Sequence, residues 1–204
     1  AKVLRGMIPV NREELSVLVV GLGNREITPD ALGPRVADNM MITRHVIREF
    51  GKYALGAEHS NLISSIVPGV MAQTGMESLE IIRGVIRETE PDCIVAVDAL
   101  AARSVKRLNR TIQITNTGIN PGSGVGNHRH GLNRESVGIP VIAIGVPTVV
   151  DAATIVNDAI SGYYEEVDCT LNSFFVTPKD IDESIKRLSF TISEGLNLAF
   201  EKTA

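Results

Sequence analysis

A chain of 204 residues, 44% hydrophobic and 22% charged, is the size of one domain and can bury about 70% of the surface its unfolded form exposes. A formal charge of −4 and a pI near 5.6 argue against a protein built to grip nucleic-acid phosphates. The longest apolar run, 139–150, holds Pro and Gly and falls short of the ~20 residues a membrane helix needs. The first 15 residues lack the apolar core of a signal peptide, so a cytoplasmic protein without a membrane partner is expected.

In chain order, residues 16–23 (SVLVVGLG) read as a buried strand closed by a tight turn at Gly21, Gly23 and Asn24. Thr28, Pro29 and Asp30 then start a helix, where an acid in the first turn complements the macrodipole. A helix from Pro34 to Phe50 follows, then a strand over 61–69. Thr74 and Glu77 form a capping box that opens a helix with Met76, Leu79, Ile82, Val85 and Ile86 on one face. Residues 93–100 (CIVAVDAL) read as a strand with Asp98 at its carboxyl end, and 111–118 as another. The stretch 116–138, dense in Gly, Asn and Ser, reads as a long loop, and loops of that length in compact domains carry function or are disordered. A strand over 140–150 precedes a final helix, 178–202, capped by Thr177 with Pro178 at its first position. Its Ile181, Ile185, Leu188, Ile192, Leu196 and Ala199 form one docking stripe. Alternation of this kind predicts a single domain over 1–204, a three-layer α/β/α sandwich on a mostly parallel sheet.

The turn at Gly21 and Gly23 is not a dinucleotide fingerprint, since Glu26 stands where the third glycine belongs. The loop glycines Gly118, Gly122, Gly124 and Gly126 are not followed by Gly-Lys-Ser/Thr, so no cofactor is expected. His128 and His130 lack a nearby carboxylate or Cys to complete a zinc signature, and no metal is expected either. His45 reads as a packed or surface histidine, Asp151 as an acid serving a helix cap, and Cys93 and Cys169 as reduced thiols. A Gly-X-Ser-X-Gly elbow is absent. Asp98 is harder to dismiss, because an acid ending a hydrophobic strand must be paired, hydrogen-bonded or protonated. Asp30 follows the carboxyl end of one strand and Asp98 ends another, the edge where open α/β sheets place their sites. Two carboxylates converging there can share a proton, one acting as acid and the other as base toward water, which suits amide hydrolysis.

The strings GLGNREITPDALGPRVADNMMITRHV, SIVPGVMAQTG, IVAVDALAARSVKRLNRTIQI, TGINPGSGVGN and GIPVIAIGVPTVVDAATIV closely resemble, in the same order, the germination protease of spore-forming bacteria. The resemblance covers about residues 16–160 and resumes at FVTPKDID and the last helix. It implies an atypical aspartic endopeptidase that cleaves small acid-soluble spore proteins in the spore core at germination. It implies the fold of the hydrogenase-maturation endopeptidases, a phosphorylase/hydrolase-like sandwich. It also implies a homotetramer made as a zymogen. The family's two essential aspartates fall on Asp30 and Asp98, with Gly21, Gly23, Asn24, Gly122 and Gly124 as supporting or substrate-binding positions. The chain departs from the resemblance at Asn116, where an Asp is expected, and at 161–174, where several dozen more residues are expected. Three other classes stay open: a peptidyl-tRNA hydrolase, which has a similar GLGN turn, a metal-dependent hydrogenase-maturation-type protease, and a non-enzymatic binding module.

Overall fold

The computed structural model describes residues 1–8, 14–56, 61–122, 130–159 and 169–201. Its strands are β1 (Ser16–Gly21), β2 (Leu62–Ile66), β3 (Cys93–Ala102), β4 (Gln113–Thr115), β5 (Val141–Asp151) and β6 (Phe175–Val176). They form one sheet in the order β2-β1-β3-β5-β4, with β6 also on β5. The pairs β1–β2, β1–β3 and β3–β5 are parallel, whereas β4 and β6 run antiparallel to β5. The helices are α1 (Lys2–Met7), α2 (Leu32–Asp38), α3 (Arg44–Phe50), α4 (Met71–Thr74), α5 (Ser78–Thr89), α6 (Arg134–Val137), α7 (Ala152–Ala159) and α8 (Ile181–Phe200).

Side chains alternate across a strand, so the apolar runs supply two cores. Val17, Val19, Val95, Ile142 and Ile144 meet Leu32 and Val36 of α2 and Ile185 and Leu196 of α8. Leu18, Val20 and Ile94 face the other way, against Leu79 and Ile82 of α5. Helices therefore cover both faces, and the molecule is the expected three-layer sandwich on a mostly parallel sheet. Asp92 sets the register at the amino edge. The Ser16 N–H donates to Asp92 Oδ2 at 2.9 Å, and the Asp92 N–H donates to Ser16 O at 2.7 Å.

Four local expectations are corrected. The helix expected over Pro34–Phe50 is two helices, because Thr43 leaves the helical path to bond the outer edge of β2. Its N–H donates to Ile63 O at 3.1 Å and its Oγ1 accepts the Ile63 N–H at 2.9 Å. Thr74 ends α4 rather than opening α5. The N-cap of α5 is Glu77, whose N–H donates to Glu80 Oε2 at 2.8 Å, and Met76 stays 48% exposed. The last helix starts at Ile181, with Asp180 at the N-cap position, while Thr177 turns its Oγ1 to Thr148 O at 2.9 Å. Within the Gly/Asn-rich stretch, Ile119 and Leu132 bridge two backbone segments and Asn133 caps α6. Partners distant in sequence decide the break at Thr43, the turn of Thr177 and the Ile119–Leu132 bridge, whereas the caps at Glu77 and Asn133 are local choices among competing polar residues.

The stripe on α8 docks as expected, with Ile185 and Leu196 fully buried. Leu196→Ala should cost about 2–5 kcal/mol in a urea titration. Burial, helped by the charge of Asp92, pushes the free Cys93 thiol up to about 12. The side chain of Cys169 lies outside the described residues. Cys93 should therefore resist a thiol reagent at pH 8 in the folded protein and react once urea unfolds it, as read by mass spectrometry of the modified peptide.

Candidate active site

β1 ends where Gly21 pairs with Val97, but β3 runs on to Ala102. The last link between them is the Leu22 N–H donating to Val97 O at 2.8 Å. The chain then leaves the sheet through Gly23 at φ +111, where a Cβ would stand 2.1 Å from Asp30 O. Only glycine combines that backbone angle with that approach. Thr28–Asp30 form a single 3₁₀ turn, and α2 begins two residues later. The Asp30 carboxylate turns back on the loop, where its Oδ2 accepts the Asn24 N–H at 2.7 Å. Asn24 Oδ1 in turn accepts the Glu26 N–H at 3.0 Å, which holds the loop's shape.

Asp98 is the first residue of β3 beyond the end of β1, four residues short of the end of its own strand. It is 4% exposed, and its Oδ1 accepts the Ala99 N–H at 2.9 Å. A carboxylate this enclosed needs such donors to be tolerated at all. Both aspartates line one cleft of about 760 Å³ at the carboxyl edge of the sheet. Gly23 and Gly122 line it too, together with the far ends of β3 and β5 and Phe175 of β6.

The remaining expected positions divide. Gly21 does not line the cleft. A Cβ on it would meet Gly33 O at 2.3 Å, so it is a packing glycine that lets α2 approach the sheet. Asn24 does not line the cleft either, and its backbone N–H is the donor to Asp30. Gly124 and His128 lie outside the described residues. His130 pairs its Nδ1 with Glu77 Oε2 at 2.6 Å, tying the loop's end to α5. His45 is exposed on α3, and Asp151 caps α7 by accepting the Thr154 N–H at 2.7 Å. Sequence reasoning missed the exposed Arg103 and Arg107, with Gln113 and Thr177, all of which line the cleft. For the two arginines the available signal was their place just after Asp98, in a run that leaves the sheet beside the site; Gln113 and Thr177 offered none.

Fold and cleft together define an α/β sandwich with two carboxylates at the carboxyl edge of its sheet. The germination protease family model matches residues 4–166. The germination protease of Caldanaerobacter subterraneus subsp. tengcongensis is 44% identical over an alignment of 220 residues, covering 93% of this chain and 67% of that one. That of Clostridium perfringens strain SM101 is 42% identical with the same coverage, and that of Bacillus velezensis 55% identical over 72% of this chain and 40% of its own. The chain belongs to the germination protease family, a family of peptidases. The 220 aligned positions outnumber the 204 residues here, so the first relative carries residues inside the matched stretch that this chain lacks. Among solved structures, a NiFe hydrogenase maturation protease from Thermococcus kodakarensis is similar over 97% of this chain and 98% of its own, at 18% identity and a TM-score of 0.49. A likeness of that size carries no argument about function.

Gly33 is the other half of the contact made by Gly21. A Cβ there would stand 2.3 Å from Leu22 O and 2.4 Å from Val97 O. Gly33→Ala should lower stability by about 1–3 kcal/mol in a denaturant titration.

Proposed function

We propose that the protein is an endopeptidase in which Asp30 and Asp98 together activate water for attack on a peptide carbonyl. The observation that carries this reading is that the two carboxylates line the same cleft. Asp98 sits on a strand and is nearly enclosed, whereas Asp30 sits on a turn and is half-buried. Environments that differ in this way favour different protonation states, one carboxyl donating to the carbonyl oxygen or leaving amine and the other taking the proton of water. Burial of a site among apolar walls strengthens each of these interactions.

The substrate we propose is a small acid-soluble spore protein, cut in the spore core at germination. Family membership and the names of the relatives support that choice. An unstructured protein segment fits a cleft open along one sheet edge better than a folded surface does.

Purified protein mixed with a small acid-soluble spore protein should cut it at a site that mass spectrometry maps, with or without a chelator. Asp98→Asn and Asp30→Asn, each folded by circular dichroism, should each lose about 10²- to 10⁴-fold in rate. Undiminished cleavage by either folded variant, or loss on chelation, would overturn the mechanism.

A further inference from the structure

Among the described residues, the sheet has an unfilled strand position inside the cleft. β3 pairs with β1 only as far as Val97, and among the described residues no strand pairs with Ala99–Ala102 on that side. The opposite side of the same segment is held by β5, through Leu100 with Pro147 and Ala101 with Val149. Because Val97 O accepts the Leu22 N–H, odd-numbered residues of β3 turn their N–H and C=O groups toward the β1 side. The edge beyond β1 therefore presents the Ala99 and Ala101 peptide groups. Its first donor, the Ala99 N–H, is taken by Asp98 Oδ1. What continues is the Ala99 C=O and the Ala101 N–H and C=O.

These residues have small side chains and line the cleft that also holds Asp30 and Asp98. β1 itself turns out of the sheet at Gly23, and no described residue continues its line beyond Leu22. We propose that the substrate binds as an extended strand added to this edge of β3, in continuation of β1, with its scissile peptide drawn up to Asp98. The occupant is a segment of the polypeptide to be cut, because the edge begins at the carboxylate that the peptidase reading requires, and the inference rests on that reading. Backbone pairing of this kind binds any extended sequence and leaves selection to the surrounding side chains. It also explains why Asp98 lies inside a strand rather than on a loop: its position along β3 sets the distance from the reacting bond to the backbone anchors.

Substrate N–H groups bonded to the Ala99 and Ala101 carbonyls must lie two residues apart whichever way the added strand runs. The test uses a peptide spanning the mapped cleavage site and a set of its forms, each N-methylated at one residue within four of the scissile bond. With the whole wild-type chain, methylation at two positions two residues apart on one side of the bond should each raise KM about three- to tenfold, the worth of one hydrogen bond, with the residue between them unaffected. Ala101→Pro, which removes an edge N–H without touching the β5 ladder, should raise KM by a similar factor with little change in kcat. Equal cleavage of all methylated forms, or losses without that spacing, overturns the added strand while leaving the peptidase reading intact. Failure of wild-type protein to cut the unmethylated spore protein overturns both.

Discussion

The approach of α2 to the ends of β1 and β3 is the contact on which the rest of the site depends. Gly21 and Gly33 face each other with no room for a side chain, and Gly33 also sits against the carbonyls of Leu22 and Val97. That contact fixes how far the turn carrying Asp30 stands from the strand carrying Asp98. A bulkier residue at either position would push α2 off the sheet, and with it one wall of the cleft. Gly23 acts differently, letting the chain leave the sheet at a backbone angle that other residues resist.

A second feature is the unequal length of the strands. β1 ends level with Val97, while β3 and β5 continue together past it, with β6 joining β5 at Val150. The carboxyl edge of the sheet is thus a step, and the cleft lies on the step. Open parallel sheets place sites where adjacent strand ends diverge, and here the divergence is one of length as well as connection. Asp98 follows from this geometry: in mid-strand it is rigid, and beyond the end of β1 it is accessible from the cleft.

The charge in the cleft is mixed although the whole chain is acidic. Two carboxylates stand with the exposed Arg103 and Arg107, which come from the run just after β3. Cationic groups at the rim of a site attract acidic ligands. Overall charge and local charge are separate quantities, and the composition informed only the first.

The layers and most strands were legible from the residues because apolar runs alternating with amphipathic helices have few other ways to bury themselves. The strings around Asp30 and Asp98 carried the family resemblance, which the comparisons show to be membership. Sequence by itself therefore determined the sandwich, the docking stripe of α8 and the two candidate carboxylates. Tertiary structure alone decided the break at Thr43, the caps at Glu77 and Asp180, and the packing role of Gly21. It also decided that β3 outruns β1 and that Arg103 and Arg107 line the cleft. For all but the cap at Glu77, which a local bond to Glu80 settles, the reason is a hydrogen bond, strand pairing or close contact between segments separated in the chain, and local pattern carries no record of such a partner.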